Sequence, residues 1–209
     1  MSSVDPVDPG LAPLVGSRIC HDLASPVGAA LTGLDFLEEM GAAGGETALL
    51  RDSLSGARAT LDVLRLAFGR QGTGEAFDPG ALGALLRGHL VTRPRLQLDW
   101  GLDGPPVPRP EAQRIALAVL CAMHALPRGG TIDVARAPGG AIRLAATGRL
   151  AADPALWDGL AGREPLPDPD PRRVEFHLLA AHLCRDGARI AITQDGETLT
   201  VAIEAPRDD

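Results

Sequence analysis

The stretch SRICHDLASPVGAALTGLDFL, residues 17–37, has a proline in its middle and still reads as a helix. Ile19, Leu23, Val27, Ala30, Leu34 and Leu37 are spaced four, four, three, four and three apart. That spacing places them on one helix face. Pro26 removes the backbone hydrogen bond that would reach the Asp22 carbonyl, at a cost of about 3 kcal/mol. The proline lies one turn beyond a His-Asp pair, which makes His21 the residue to explain. At about 100° per residue, His21 lies about 160° from Leu23, away from the apolar stripe. It is expected to face solvent.

Outward from this helix, GAAGGET at 41–47 breaks the pattern and predicts a turn. A second stripe follows, Leu50, Leu54, Ala57, Leu61, Leu64 and Phe68, alternating between spacings of four and three as a coiled-coil seam does. GRQGTGE at 69–75 closes it. Residues 11–70 therefore read as an antiparallel helical hairpin, preceded by a flexible tail over residues 1–10 with two Asp-Pro pairs. Two helices cannot enclose a core. The simplest completion is a second copy, giving a homodimer built on a four-helix bundle.

From about residue 76 the texture changes. Asp78-Pro79 predicts a helix start, with Asp78 as N-cap and the helix running to about residue 90. RLQLDWGL alternates as a strand, and PEAQRIALAVLCAMHAL at 110–126 reads as an apolar helix stopped by PRGG. TIDVARA and AIRLAAT flank a Gly-Gly turn. A helix at about 172–185 and a closing hairpin turning at Asp195-Gly196 complete the set. The expected class is α+β: the hairpin followed, over residues 76–207, by an α/β sandwich with helices covering one sheet.

Bulk composition excludes several functions. The 209 residues carry a formal net charge of −7, so nucleic acid is not an expected partner. All 20 basic residues outside histidine are Arg. Cys20, Cys121 and Cys184 form no paired motif and read as reduced thiols. His89, His124, His177 and His182 are dispersed, and the last two are five apart, wrong for two ligands on one helical face. No metal site is expected. Trp100 and Trp157 read as packing residues. With no apolar run near the roughly 20 residues of a membrane span and no leader pattern, the chain reads as soluble, cytoplasmic and free of the membrane.

An exposed imidazole on a rigid helix suits the acceptance of a phosphoryl group. One ring nitrogen must be unpaired and reachable in line by phosphorus. A flanking carboxylate such as Asp22 can hold the other N–H and fix the tautomer. Ser25, one turn on, either hydrogen bonds near the phosphate or simply solvates the helix. Arg18, three residues before His21, either draws phosphate or is an ordinary solvated arginine.

These residues carry a resemblance. His21-Asp22-Leu23-Ala24-Ser25-Pro26 is similar to the H-box of bacterial histidine kinases, H-[DE]-L-x-[ST]-P, on the first helix of a dimeric hairpin. The second module resembles the frame of their ATP-binding domain, with PRGGTIDV where such kinases carry a TPxGGxI-like run. The nucleotide chemistry is missing. Leu117 and Cys121 stand where the magnesium- and phosphate-binding asparagines fall, and neither ligates magnesium. Ala146 stands where the adenine-binding Asp belongs, Leu150 replaces a glycine, and EPLPDPDPRRVEFHLL occupies the place of the glycine-rich lid. An H-box with a degenerate ATPase-like domain resembles the ChpT-type histidine phosphotransferases of alphaproteobacterial phosphorelays, over about residues 11–205.

That resemblance implies a homodimeric phosphotransferase with His21 as phosphoacceptor and Asp22 as its tautomer holder. Phosphate would come from the receiver domain of a CckA-like hybrid histidine kinase and pass to CtrA-like and CpdR-like response regulators in cell-cycle control. No cofactor is implied, since magnesium belongs to the partner receiver. Gly28, Ala29 and Gly33 would line the docking surface, or else only pack tightly within the bundle. Two other readings compete: a dimeric adaptor that sequesters receivers, and an active kinase with a diverged ATP site.

Overall fold

The computed structural model describes residues 11–40, 45–69 and 76–205. The expected tail at residues 1–10 lies outside them. Helices α1 (Leu11–Met40) and α2 (Gly45–Phe68) form the hairpin, and α1 runs unbroken through Pro26. α2 starts earlier than expected: Gly45-Glu46-Thr47 are its first turn, not part of a turn between helices. The stripes are unevenly covered. Leu50 and Leu64 are buried, whereas Val27, Phe36, Leu49 and Leu54 are exposed, Leu54 at 57%.

The second module is a five-stranded sheet in the order β1-β2-β3-β5-β4: β1 (Leu96–Gly101), β2 (Gly130–Arg136), β3 (Ile142–Thr147), β4 (Arg189–Asp195) and β5 (Thr198–Glu204). β1 and β2 run parallel, joined across α4 (Arg109–Ala125); every other pairing is antiparallel. The strands alternate. Ile132, Val134, Leu144, Leu199, Val201 and Ile203 turn inward under α4 and α6 (Val174–Asp186). The opposite face carries residues such as Arg143 and Thr193.

Two helix starts follow from their caps. Asp78 accepts a hydrogen bond from the Ala81 N–H at 2.8 Å, opening α3 (Pro79–Leu90) with Pro79 in the first turn. Asp153-Pro154 repeats the device and opens a short helix, α5 (Pro154–Leu160), that no periodicity in the sequence predicts. α6 begins at Val174, two residues later than expected, and ends on Gly187, whose positive φ of 63° caps it. Trp157 packs edge-on against Phe176 at 5.0 Å between ring centroids.

The two modules share one core. Val63, Leu64, Leu66 and Ala67 of α2 are buried in the same cluster as Leu82, Leu86 and the inner face of α4. Gln113, fully buried on α4, donates its amide to the Leu66 and Gly69 carbonyls at 3.0 and 2.9 Å. The Leu66 carbonyl lies in the last turn of α2 and that of Gly69 just past it, where no further helical N–H follows. α3 lies against α2 through glycines: a Cβ on Gly56 would come within 2.7 Å of the Thr92 methyl, and one on Gly88 within 3.3 Å of Ala59. This close approach brings the α3–β1 connection up to the side of α1 that carries His21.

Candidate functional site

His21 projects from α1 with its side chain 72% exposed, as the helical spacing predicted. Asp22 beside it is covered, with a side chain only 7% exposed. Its two oxygens have separate duties. Oδ1 lies 3.1 Å from His21 Nδ1, and Oδ2 accepts from Arg18 Nε at 2.8 Å. A carboxylate paired with a guanidinium only accepts, so Nδ1 carries the imidazole proton. With that tautomer Nε2 is the ring nitrogen whose lone pair is free.

Arg18 is not a solvated helix arginine. It is buried, one turn before Asp22, and its Nη1 donates to the Arg172 carbonyl at 2.9 Å. The guanidinium also lies 3.9 Å from Glu175, which accepts from His124 Nε2 at 2.6 Å. The orienting carboxylate is thus held from behind by α1, α4 and the start of α6 together. Glu175 is 1% exposed, and a buried carboxylate needs such partners.

Two depressions flank the pair. One, of about 370 Å³, is lined by His21, Asp22, Ser25 and Pro26 of α1, by Ser53 and Thr60 of α2, and by His89, Thr92 and Arg93. The other, of about 260 Å³, is bordered by Arg18, His21, Asp22, Arg93 and His124. Ser25 is exposed at the rim of the first. Gly28 and Ala29 are exposed further along α1. Gly33 is not on this open surface: it is buried, and a Cβ there would meet the Leu50 side chain at 3.1 Å, so it serves the contact between α1 and α2.

His89 and His124 are not unrelated to His21, as their dispersal in sequence suggested. Both border its depressions. Arg93 Nη1 donates to His89 Nε2 at 3.1 Å, so the opposite ring N–H, at Nδ1, donates to Thr60 Oγ1 at 3.2 Å. Burial, then the nearby Arg93 charge, push the His89 pKa down to about 4, which keeps the ring neutral and able to accept. The pattern His89-x-x-x-Arg93-Pro94 was the available signal for this cluster: an i,i+4 pair ending in a proline-fixed turn. His177 Nε2 donates to the Pro167 carbonyl, away from the site. Among the described residues no three His, Cys, Asp or Glu side chains are grouped to hold a metal.

The positions expected for nucleotide ligands lie in the core. Leu117 and Cys121 are fully buried on α4, and Ala146 is buried in β3. Burial pushes the Cys121 thiol well above its usual range, with Glu175 adding to the effect. No helix among the described residues is long and apolar enough to cross a membrane.

Residues 80–198 match the family described as the histidine phosphotransferase C-terminal domain. The chain is 34% identical over 125 residues to the protein phosphotransferase ChpT of Brucella abortus, a match covering 59% of each protein. It therefore spans less than two thirds of that relative. A solved structure described as a bacterial phosphotransferase is 27% identical, covers 98% of both chains and superposes with a TM-score of 0.77. A histidine kinase domain from Erythrobacter litoralis covers 90% of this chain and 94% of its own, at 17% identity and a TM-score of 0.46.

Proposed function

The chain belongs to the histidine phosphotransferase C-terminal domain family, and on that premise we propose that it carries phosphoryl groups between receiver domains on His21. One observation carries the reading: an exposed imidazole whose Nδ1–H is held by a covered carboxylate, itself pinned by a buried arginine. Nε2 attacks the phosphorus of an aspartyl phosphate on the upstream receiver. The P–N bond forms as the P–O bond breaks, and the aspartate leaves as a carboxylate. The proton stays on Nδ1, where Asp22 stabilises the resulting imidazolium. Transfer to a second receiver is the reverse of these steps. Magnesium is supplied by the receiver, and this chain contributes none.

The partners follow from the family: the receiver of a CckA-like hybrid kinase upstream, and CtrA-like and CpdR-like regulators downstream. The exposed Gly28 and Ala29 offer a smooth surface for docking below His21. Val27, Phe36, Leu49 and Leu54, exposed on a single chain, support a homodimer that covers them in a four-helix bundle. The apolar, buried Leu117, Cys121 and Ala146 support a protein that neither binds ATP nor phosphorylates itself.

The test is transfer of label from a phosphorylated, radiolabelled hybrid-kinase receiver, without ATP, to wild type and to His21→Ala. Label is expected on wild type alone. Receivers that bind the wild type yet leave it unlabelled would reduce the protein to a dimeric adaptor. ATP binding detected by calorimetry would instead revive the kinase reading.

A further inference from the structure

We propose that Arg93, carried by the α/β module, is the phosphoryl-binding cation of the His21 site, so that the pocket shared by the two modules binds a phosphate dianion. The inference rests on the phosphotransfer reading of His21 and adds a residue to it.

The geometry singles Arg93 out. The depressions on either side of His21 share three residues, His21, Asp22 and Arg93. An incoming phosphoryl group meets one exposed imidazole, one carboxylate that repels it, and one guanidinium. The other nearby cation, Arg18, is committed to Asp22 and to the Arg172 carbonyl. Arg93 has no such commitment: among the described residues no carboxylate oxygen lies within 4.0 Å of its guanidinium, and its one hydrogen bond there runs to neutral His89. Four of its five N–H donors are thereby left for a ligand.

A half-buried arginine without an anion is unusual, because burial disfavours its charge. Burial does lower the Arg93 pKa, with Asp22 opposing the effect from a distance. The backbone that carries this side chain is nonetheless firmly held. Its backbone N–H donates to the Leu90 carbonyl at 2.8 Å, its carbonyl accepts from Leu96, and Pro94 fixes the next residue. Ser25 and Ser53 line the same depression and add hydroxyl donors suited to phosphate oxygens. A guanidinium there offsets the growing charge of the transferring group without any motion of the chain. It also explains how a protein of net charge −7 accepts a phosphoryl group from a phosphorylated acidic site.

The experiment follows the His21 ring resonances by NMR as inorganic phosphate is added at constant ionic strength. Wild type is expected to show a saturable shift. Arg93→Gln, which keeps a donor for His89, should weaken phosphate at least about tenfold, the size of one charge-assisted hydrogen bond. Arg93→Lys should retain part of the affinity, and Arg143→Gln, which removes a charge from the exposed sheet face, should behave as wild type. The inference is overturned if wild type shows no saturable shift, or if Arg93→Gln or Arg143→Gln breaks that order while the His89 resonance keeps its native position. Should Arg93→Gln fail to fold, Arg93→Lys decides: phosphate weakened about threefold or more supports the site, because lysine keeps the charge but not the fork of donors, and a smaller change overturns it. Phosphate binding that depends on Arg93 in a protein that no receiver labels would refute the transfer reading and leave the anion site standing. Labelling by receivers at the wild-type rate in Arg93→Gln would do the opposite.

Discussion

Breaking the link between Arg18 and Asp22 tests the chemistry and the architecture together. Arg18→Met removes a charge-assisted hydrogen bond to Asp22 and a second one to the Arg172 carbonyl. Each is worth about 1.5–3 kcal/mol, and stranding half of a buried ion pair costs about 3–5 kcal/mol. Asp22 borders the solvent-facing His21 and is not sealed in, so the expected loss lies near the lower end, about 2–3 kcal/mol. Asp22→Asn should lose a similar amount, because the Arg18 guanidinium then lacks its anion. The double variant should lose less than the sum, with an interaction of about 1–2 kcal/mol. The assay is urea unfolding of all four proteins followed by circular dichroism at one fixed protein concentration, since an associating chain shifts its own stability. Phosphohistidine formation is measured alongside. Asp22→Asn should slow it roughly 10–100-fold, the scale on which losing the hydrogen-bond partner behind a functional histidine acts. Arg18→Met should slow it less, because the carboxylate remains but is no longer held. Single-variant losses that add to within about 0.5 kcal/mol would refute the coupling, and with it the claim that Arg18 positions Asp22.

Other outcomes follow from particular contacts. The stability contributed by neutral His89 is complete above pH 6.5 and is lost as pH falls toward its folded pKa of about 4, because the unfolded chain takes up the proton first. By pH 5 this amounts to about 2 kcal/mol, and the His89 ring titrated by NMR should show its midpoint near 4 and not above 6. Gly83→Ala would set a Cβ within 2.7 Å of the Trp100 indole, so a loss of about 1–3 kcal/mol and a change in tryptophan fluorescence are expected, against no change if the indole simply moves aside. Gly28→Ala meets nothing within 4 Å and should raise thermal stability by about 0.5–1 kcal/mol through helix propensity, while slowing transfer from a receiver if that face docks it. Glu175→Gln should destabilise by about 1–3 kcal/mol in thermal melts, since His124 loses a charged acceptor.

Much of the fold was legible because its determinants are local. Asp78-Pro79 announced α3, and Asp195-Gly196 announced the last hairpin, although its two-residue turn falls one position later, on Gly196-Glu197, with Asp195 still paired in β4. Asp153-Pro154 carried the same start signal as Asp78-Pro79 for α5, but the helix it opens is only seven residues long, too short for a helical period to register. The outward direction of His21 came from helix geometry alone. Its surroundings did not, because they are assembled across the chain. Arg18 reaches Arg172 over 154 residues, and Thr60 reaches His89 over 29. No spacing rule connects such pairs. Gly33 and Gly28 look alike in sequence, and only the position of Leu50 separates a packing glycine from an open one.

The shared core makes the hairpin a cantilever. α2 is clamped at one end, where Val63, Leu64 and Ala67 are fully buried and Gln113 closes the final carbonyls. At its other end Leu49 and Leu54 stand exposed. His21 lies by the clamp, bordered by Thr60, and the greasy side chains lie toward the free tip. Slow amide exchange should therefore concentrate in the last two turns of α2 and fade toward its start in an isolated chain. Contact made at the tip changes the stiffness of the beam, while His21 stays where the beam does not bend.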